Sequence, residues 1–208
     1  MAILKFEIGP LSTNCYLYVD EKTNESVVID PAFPTEKLIE SIKKTDLKYI
    51  LLTHAHADHI MAVAKIKEIT NAKIVAHKNE EKRLLGDESN LYNALGCYNL
   101  PYISQNIDVF VSDGDEIKFG TKTLRVLHTP GHTDGSLCFV GEKIIFAGDT
   151  VFAGSYGRTD FPSGSYSNLL DSFHKLFCLS GDYIIYPGHQ ESTTLKDEKN
   201  FNPLSRYV

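Results

Sequence analysis

An apolar run of strand length, residues 47–52, ends directly in the polar block Thr53-His54-Ala55-His56-Ala57-Asp58-His59. Residues two apart in an extended chain point the same way, so His54 and His56 can reach one metal ion. Asp58 and His59 come where helical spacing begins, and a helix N-terminus favours a carboxylate. Nitrogen and carboxylate donors together suit Zn²⁺, Fe²⁺ or Mn²⁺. The block therefore predicts a metal site at the carboxyl end of a strand.

Three later residues repeat this arrangement. His132, Asp149 and His189 each follow an apolar run and stand beside a glycine, which lets the backbone approach closely. A single residue in this setting would be interpreted as an ordinary turn residue, but the recurrence of the setting indicates that these residues serve one site. We therefore expect seven side chains to converge on one site, namely His54, His56, Asp58, His59, His132, Asp149 and His189.

The remaining pattern is that of an α/β chain. Two blocks of strands, each followed by a helix and another strand, favour two sheets packed face to face with helices outside. The predicted strands are 3–8, 14–19, 26–29, 47–52, 73–76, 109–111, 116–119, 124–127, 137–140, 143–146 and 183–186. Helices are predicted near Pro34, from Asp58, over 80–85 and over 165–177, whereas 86–107 has no regular pattern. No linker interrupts the chain, so residues 1–208 are expected to form one domain.

Composition narrows the partners. The net charge of −6 and the lack of a basic block argue against nucleic-acid binding. Neither a signal peptide nor an apolar run of about 20 residues is present, so we expect a cytoplasmic monomer or homodimer that does not use a membrane. The cysteines, which are scattered and without a C-x-x-C pair, are expected to be reduced and mostly buried: Cys15, Cys97, Cys138 and Cys178.

Other polar residues are expected to be structural. His77 and His174 are interpreted as surface or satisfied structural groups, and so is His128, with support of a metal ligand as its alternative role. Ser136 and Cys138 lie on a strand and are interpreted as structural rather than nucleophilic.

The motif His54-x-His56-x-Asp58-His59, followed by Gly131-His132, Gly148-Asp149 and Gly188-His189, resembles the metallo-β-lactamase superfamily. Within it, Asn14-Cys15-Tyr16, TPGHT and the block FAGDTVFAGSYGRTDF (146–161) resemble the glyoxalase II-like, or hydroxyacylglutathione hydrolase-like, branch. The resemblance implies a four-layer αββα sandwich. It also implies that His54, His56 and His132 hold one metal, that Asp58, His59 and His189 hold a second, and that Asp149 bridges them.

That resemblance implies two divalent ions, zinc first and iron or manganese as alternatives, and a hydroxide between them that attacks a thioester. A metal-bound water ionises near about pH 7, and Asp58 can orient it and accept its proton. The small-molecule substrate implied is S-D-lactoylglutathione or another thioester or small ester. Arg158, with Tyr156 nearby, is the candidate for substrate binding, since the family places a basic residue here that meets a glutathione carboxylate.

The sequence departs from the glyoxalase II pattern in two ways, and two other functions are alternatives to thioester hydrolysis. Only 19 residues follow His189 (208 minus 189), too few for the helical C-terminal domain of glyoxalase II, and Gln190 replaces a common glycine. GRTDF and TPGHTDG also resemble the persulfide dioxygenases of the superfamily, which would use one iron held by His54, His132 and Asp149. A metal-binding interaction module without activity is the second rival.

Overall fold

The chain forms two mixed sheets in the computed structural model, which describes residues 2–95 and 99–208. The strands of the first sheet are β1 (Ala2–Ile8), β2 (Thr13–Val19), β3 (Glu25–Ile29), β4 (Asp46–Leu51), β5 (Lys73–His77) and β6 (Val109–Val111). They lie side by side in chain order. The pairs β1–β2 and β2–β3 are antiparallel, and the remaining pairs are parallel.

The second half of the chain supplies the second sheet and a separate hairpin. Its strands are β7 (Glu116–Phe119), β8 (Lys122–His128), β9 (Leu137–Gly141), β10 (Ile144–Gly148), β11 (Val151–Phe152), β12 (Ser155–Tyr156), β13 (Ile184–Pro187) and β14 (Thr193–Thr194). The sheet order is β14-β13-β10-β9-β8-β7, and β11 pairs only with β12. Because β9 is antiparallel to both its neighbours and β13 is parallel to β10, the strands β8, β10 and β13 run in one direction.

Helices accompany both sheets. They are α1 (Glu36–Ile42), α2 (Ala57–Ile60), α3 (Val63–Thr70), α4 (Glu81–Leu84), α5 (Tyr92–Leu95), α6 (Tyr166–Phe177) and α7 (Leu195–Phe201), with 3₁₀ turns at Lys78–Glu80 and Glu88–Asn90. Side-chain caps define three of the starts, since Thr35 accepts a hydrogen bond from the Leu38 N–H, Ser165 from the Asn168 N–H and Thr194 from the Asp197 N–H. Across the described ranges, no helix combines the length and apolar character needed to cross a bilayer.

Three apolar layers hold the four structural layers together. The first sheet packs on α1 and α3 through residues such as Leu17, Leu38 and Ile66. The two sheets meet through Tyr18, Phe139 and their neighbours. The second sheet packs on α6 and α7 through a third cluster that includes Phe173, Leu176 and Leu195. Burial of each such Leu or Phe side chain stabilises the fold by roughly 1.5–3 kcal/mol. The predicted αββα sandwich is confirmed.

The predicted elements differ from the observed ones mainly at their ends. The helix predicted from Asp58 is two helices, since α2 stops at Ile60 and α3 begins at Val63. The hairpin β11–β12 and the edge strand β14 were not predicted, because two-residue strands leave no periodic signal. Helices α5 and α7 were also not predicted, and α5 lies in the segment 86–107 for which no regular pattern was expected. Cys15, Cys138 and Cys178 are free thiols, of which the last is exposed rather than buried. Cys97 lies outside the described residues.

Candidate metal centre

All seven predicted ligand-type residues lie together at one edge of the sandwich. They follow β4, β8, β10 and β13, whose carboxyl ends meet there. Six of the seven are buried or nearly so, and His189 is the most exposed, with 23% of its side chain accessible. The convergence that the sequence predicts is therefore present.

The first group consists of His54, His56 and His132. One ligand atom from each lies within 4.8 Å of the other two. The His132 Nε2 and the His56 Nδ1 face each other at 2.9 Å, and the other ring nitrogen of His132 donates to the Arg158 carbonyl at 2.7 Å. With Nδ1 carrying the proton, the Nε2 of His132 presents its lone pair to the centre of the group.

The second group consists of Asp58, His59 and His189, whose ligand atoms also lie within 4.8 Å of one another. The Asp58 Oδ2 is 3.1 Å from the His189 Nε2 and 3.5 Å from the His59 Nε2. Thr13, at the start of β2, donates from its hydroxyl to the same Asp58 oxygen at 3.1 Å. The group and the residue that supports it therefore come from three separate parts of the chain.

Asp149 lies between the two groups. Its Oδ1 is 3.4 Å from the His59 Nε2 of the second group. Its Oδ2 is 3.6 Å from the His132 Nε2 of the first group and 3.7 Å from the His189 Nε2. Oδ1 thus faces the second group and Oδ2 lies near a histidine of each group, so the carboxylate stands between the two groups.

The donor set fits divalent cations. Within the described residues, the buried side-chain atoms without a hydrogen-bond partner include Nε2 of His54, His56 and His59 and Oδ1 of Asp149. Buried polar atoms without a partner cost free energy, so their concentration at one point is best explained by a ligand that they share. Imidazole nitrogens and carboxylate oxygens are donors for zinc, iron or manganese.

Electrostatics at the site agree with cation binding. Burial and the neighbouring imidazoles hold the pKa values of His54 and His56 well below the usual range, so both rings stay neutral. Burial opposes protonation of His59 as well, but the carboxylates of Asp58, Asp149 and Asp30 outweigh it and raise its pKa to about 10. This excess of negative charge around His59 is complementary to a positive ion.

A glycine makes room for the ligands of the second group. A Cβ at Gly188 would overlap the Asp149 Oδ1 and would come 2.7 Å from the His59 Cε1. No real Cβ atom fits at such distances, so the backbone beside His189 can approach the site only because it carries no side chain.

The profile of the metallo-beta-lactamase superfamily matches residues 8–189. The chain belongs to this superfamily. Among its members, the hydroxyacylglutathione hydrolase GloC of Haemophilus influenzae is 36% identical over 215 residues, which cover 97% of this chain and 98% of GloC. Superfamily membership confirms the resemblance noted in the motif and identifies the chain as a metallo-hydrolase relative.

Solved structures show the superfamily fold over nearly the whole chain. The crystal structure of the BLEG-1 B3 metallo-beta-lactamase aligns with a TM-score of 0.86 and 32% identity, covering 97% of this chain and 98% of that one. TTHA1623 in a di-iron-bound form gives 0.85 and 32%, covering 96% and 98%. ETHE1 from Myxococcus xanthus gives 0.79 and 31%, covering 98% and 84%.

In this superfamily member, a cavity of about 400 Å³ opens beside the two groups. Tyr156 and Arg158, the predicted substrate-binding residues, both line it. The Arg158 guanidinium is already engaged, since Nε and Nη2 each lie 2.6 Å from one carboxylate oxygen of Asp160. It also stacks 4.0 Å from the centre of the Phe161 ring. Arg158 therefore lies at the cavity, but its guanidinium is already paired with Asp160 in this conformation.

The remaining predicted residues lie outside the two groups. His128 stacks on His77 with ring centres 4.2 Å apart, and its Nε2 contacts the Asp134 carbonyl at 3.0 Å. These contacts give both rings structural partners. His174 is exposed on α6. Ser136 bonds to the Thr133 hydroxyl at 2.8 Å, in keeping with a structural role.

Two buried carboxylates that support the site were missed by the sequence analysis. Asp30 accepts hydrogen bonds from the Thr53 N–H at 2.8 Å and from the His59 Nδ1 at 3.0 Å. Glu80 accepts from the Ala55 N–H at 2.9 Å and from the Thr133 hydroxyl at 2.7 Å. Asp30 follows an apolar strand as the ligands do, so a signal was available for it.

The segment Asn14-Cys15-Tyr16 supports the turn that carries His189. The Asn14 side chain donates to the carbonyls of Pro187 at 3.0 Å and Gln190 at 2.8 Å. The Tyr16 hydroxyl donates to the same Pro187 carbonyl at 2.7 Å. These bonds link β2 to the end of β13 and fix where the last ligand-type residue of the second group lies.

Proposed function

We propose that this protein is a metal-dependent hydrolase that cleaves thioesters. In this proposal, His54, His56 and His132 hold one divalent ion and Asp58, His59 and His189 hold another. Zinc is the first expectation, with iron or manganese as alternatives. The observation that carries the proposal is the position of Asp149, with Oδ1 3.4 Å from the second group and Oδ2 3.6 Å from the first. A carboxylate between two complete groups is suited to two ions rather than one.

Two such ions, when bound, lower the pKa of a coordinated water to roughly 7 and polarise the carbonyl that is attacked. The residues of the chain supply the orientation. Asp58 is fixed through its Oδ2 by the Thr13 hydroxyl and by His189. It lines the cavity, where it can orient the attacking water and accept its proton. The His132 tautomer is fixed by its bond to the Arg158 carbonyl.

A thioester suits this set of residues. The leaving thiol has a pKa of roughly 8.5, so the reaction needs little help from an acid. No serine or cysteine nucleophile is required, in agreement with the buried position of Cys138 and the hydrogen-bonded Ser136. The similarity to hydroxyacylglutathione hydrolase GloC, at 36% identity, supports the same reaction class. Tyr156 and Arg158 on the cavity wall are proposed to contact the substrate.

The test joins metal analysis to turnover. Freshly purified protein is analysed for metal, and hydrolysis of S-D-lactoylglutathione and of S-hexanoyl-N-acetylcysteamine is followed. We expect about two ions per chain and hydrolysis of at least one thioester. His56→Ala is expected to lose most of the metal and more than about 100-fold of the activity, because even outer partners of metal ligands are worth about 10- to 100-fold. His174→Ala, on an exposed histidine, is the control. Near-wild-type hydrolysis by His56→Ala would refute the assignment.

Persulfide oxygenation by a single iron is the second candidate. His54, His132 and Asp149 would be its ligands, and they also meet here: the His54 and His132 rings are 4.8 Å apart, and Asp149 is 3.6 Å from His132. The similarity to ETHE1 from Myxococcus xanthus, at 31% identity, favours keeping it. Uptake of O₂ with glutathione persulfide by protein that holds one iron per chain would establish this function instead.

A further inference from the structure

The polar lining of the cavity beside the two groups consists of ligand-type residues together with Ser155, Arg158 and Gln190, and the rest of its lining consists of apolar side chains. On the described part of the chain these are Leu11, Leu91, Leu95, Phe152, Tyr156 and Phe161, and the cavity measures about 400 Å³. Leu11 is 41% exposed and stands at the mouth, whereas Leu91 is 7% exposed and Phe152 9%. A cavity of this size and character is typical of a site for a small apolar group.

The wall is held in place by the end of the chain. Gly154, at the tip of the β11–β12 hairpin, donates its N–H to both carboxylate oxygens of Glu198 at 3.1 Å. Asn202 donates to the carbonyl of Ser155 in the same hairpin at 2.9 Å. Phe152 and Tyr156 therefore belong to a braced surface rather than to a loose loop.

Apart from the metal ions proposed to bind there, the cavity offers few side-chain cations that could receive a carboxylate. Apart from histidines, Arg158 is the cation among the described residues that line it, and Asp160 occupies its guanidinium with two bonds of 2.6 Å. Lys5, near the mouth, donates to the Gln190 carbonyl at 3.0 Å and lies 3.8 Å from Glu191.

Glutathione makes demands that this wall does not meet. The tripeptide carries a carboxylate at each end, and a carboxylate is recognised by a free Arg or Lys or by a cluster of N–H donors. An apolar wall gains nothing from such groups and excludes the water that would solvate them. An uncharged hydrocarbon chain, in contrast, gains about fourfold in binding for each buried methylene.

We propose that the cavity selects thioesters whose flanking groups are apolar and uncharged, in preference to thioesters of glutathione. The proposal rests on the proposed hydrolase function for its reaction. The specificity-determining residues are Leu11, Leu91, Leu95 and Phe152, which form the wall that an acyl chain would contact. Asp160 contributes by pairing with the Arg158 guanidinium.

Binding of stable thioethers tests the preference without turnover. The metal-loaded protein is titrated with S-hexyl-N-acetylcysteamine, S-methyl-N-acetylcysteamine and S-methylglutathione in a calorimeter. We expect the hexyl compound to bind at least about tenfold tighter than the methyl compound, since several methylenes are buried. S-methylglutathione is expected to bind no more than about twofold tighter than the neutral methyl compound. Tighter binding of S-methylglutathione than of the hexyl compound would overturn the proposal.

A matched pair of variants locates the effect. Leu11→Lys places a cation at the cavity mouth, and Leu4→Lys places one on β1 at similar exposure, 45% against 41%, away from the cavity lining. Leu11→Lys is expected to reduce the ratio of hexyl to S-methylglutathione affinity by at least about threefold, while Leu4→Lys leaves it unchanged. Equal ratios in both variants and the wild type would contradict the assigned wall.

Hydrolysis of the corresponding thioesters separates the two proposals. If the thioethers bind in the expected order but neither S-hexanoyl-N-acetylcysteamine nor S-D-lactoylglutathione is cleaved, the specificity of the cavity stands and the hydrolase function fails. If S-D-lactoylglutathione is cleaved with the higher kcat/KM, the hydrolase function stands and the specificity proposal fails.

Discussion

The carboxylate of Asp30 accepts a hydrogen bond of 3.0 Å from the Nδ1 of His59, behind the face that His59 turns toward the metal centre. The same carboxylate accepts from the Thr53 N–H at 2.8 Å and the Thr53 hydroxyl at 2.6 Å. That hydroxyl in turn lies 3.1 Å from the His54 Nδ1. One buried carboxylate at the end of β3 therefore sets the ring orientation of ligand-type residues in both groups.

Asp30→Asn tests this positioning role. An amide cannot accept from all three donors, so the His59 ring loses its fixed tautomer and orientation. We expect about 10- to 100-fold weaker metal binding, with a parallel loss of activity. The measurement is a competition titration of metal against a chelator. Asp20→Asn is the control, since Asp20 is equally buried but bonds to Thr121 and Thr23; equal losses in the two variants would remove the special role of Asp30.

Glu80 joins the two loops that carry the first group. Its carboxylate is fully buried and accepts from Ala55, beside His54 and His56, and from Thr133, beside His132. Arg83 lies 3.2 Å away and is itself 4% exposed, so the pair is buried.

Glu80→Gln removes the buried carboxylate that Arg83 meets and leaves Asp134, 3.1 Å from Arg83 and 45% accessible, as its remaining acid partner. We expect the free energy of unfolding to fall by about 1–3 kcal/mol, because Asp134 still compensates part of the Arg83 charge. Urea denaturation of the metal-free protein measures the change. Glu81→Gln, on an exposed neighbour, is expected to change it by less than about 0.5 kcal/mol. A difference between the two variants below about 1 kcal/mol would show that Glu80 is not the link described here.

Stability at mildly acidic pH is expected to depend on His77. Burial, with His128 stacked beside it, lowers the pKa of His77 to about 4. In the unfolded chain a histidine has a pKa of about 6.5, so between about pH 6.5 and about pH 4 the unfolded state binds a proton that the folded state does not bind. The contribution of neutral His77 is therefore complete above about pH 6.5 and is lost as the pH falls toward about 4.

His77→Asn isolates this contribution. Asparagine keeps an acceptor for the Asn79 N–H, which His77 Nδ1 accepts at 3.3 Å, but it does not titrate. Between about pH 7 and about pH 5, the wild type is expected to lose about 1–2 kcal/mol more than the variant in free energy of unfolding. Both proteins are measured by urea denaturation without metal. Parallel losses would show that another group governs the pH dependence.

Much of the architecture could be predicted because its strands form apolar runs whose successive side chains face opposite sides of the sheet. β2 shows why: Cys15 and Leu17 face the outer helices while Tyr16 and Tyr18 face the second sheet, so the whole strand reads as one buried run. The hairpin β11–β12 could not be predicted in this way, because its strands have two residues each and depend on Glu198, far along the chain.

The candidate site also contains residues that could be predicted from the sequence and residues that could not. The seven ligand-type residues were predictable because each follows a strand, and strands that run in one direction end at one edge. The role of the Glu80 side chain could not be predicted, because Glu80 lies in a charged segment of the sequence. Its partners, Ala55 and Thr133, belong to two loops that are distant from each other in the chain. The apolar wall was also hidden, because Leu91, Leu95 and Phe152 come from segments without periodicity.

Anomalous diffraction from crystals of the protein grown with zinc tests the two-ion account most directly. The account predicts two peaks, one within about 2.2 Å of ligand atoms of His54, His56 and His132 and one equally close to Asp58, His59 and His189. Asp149 should contact both. A single peak held by His54, His132 and Asp149, with the second group left without an ion, would contradict it.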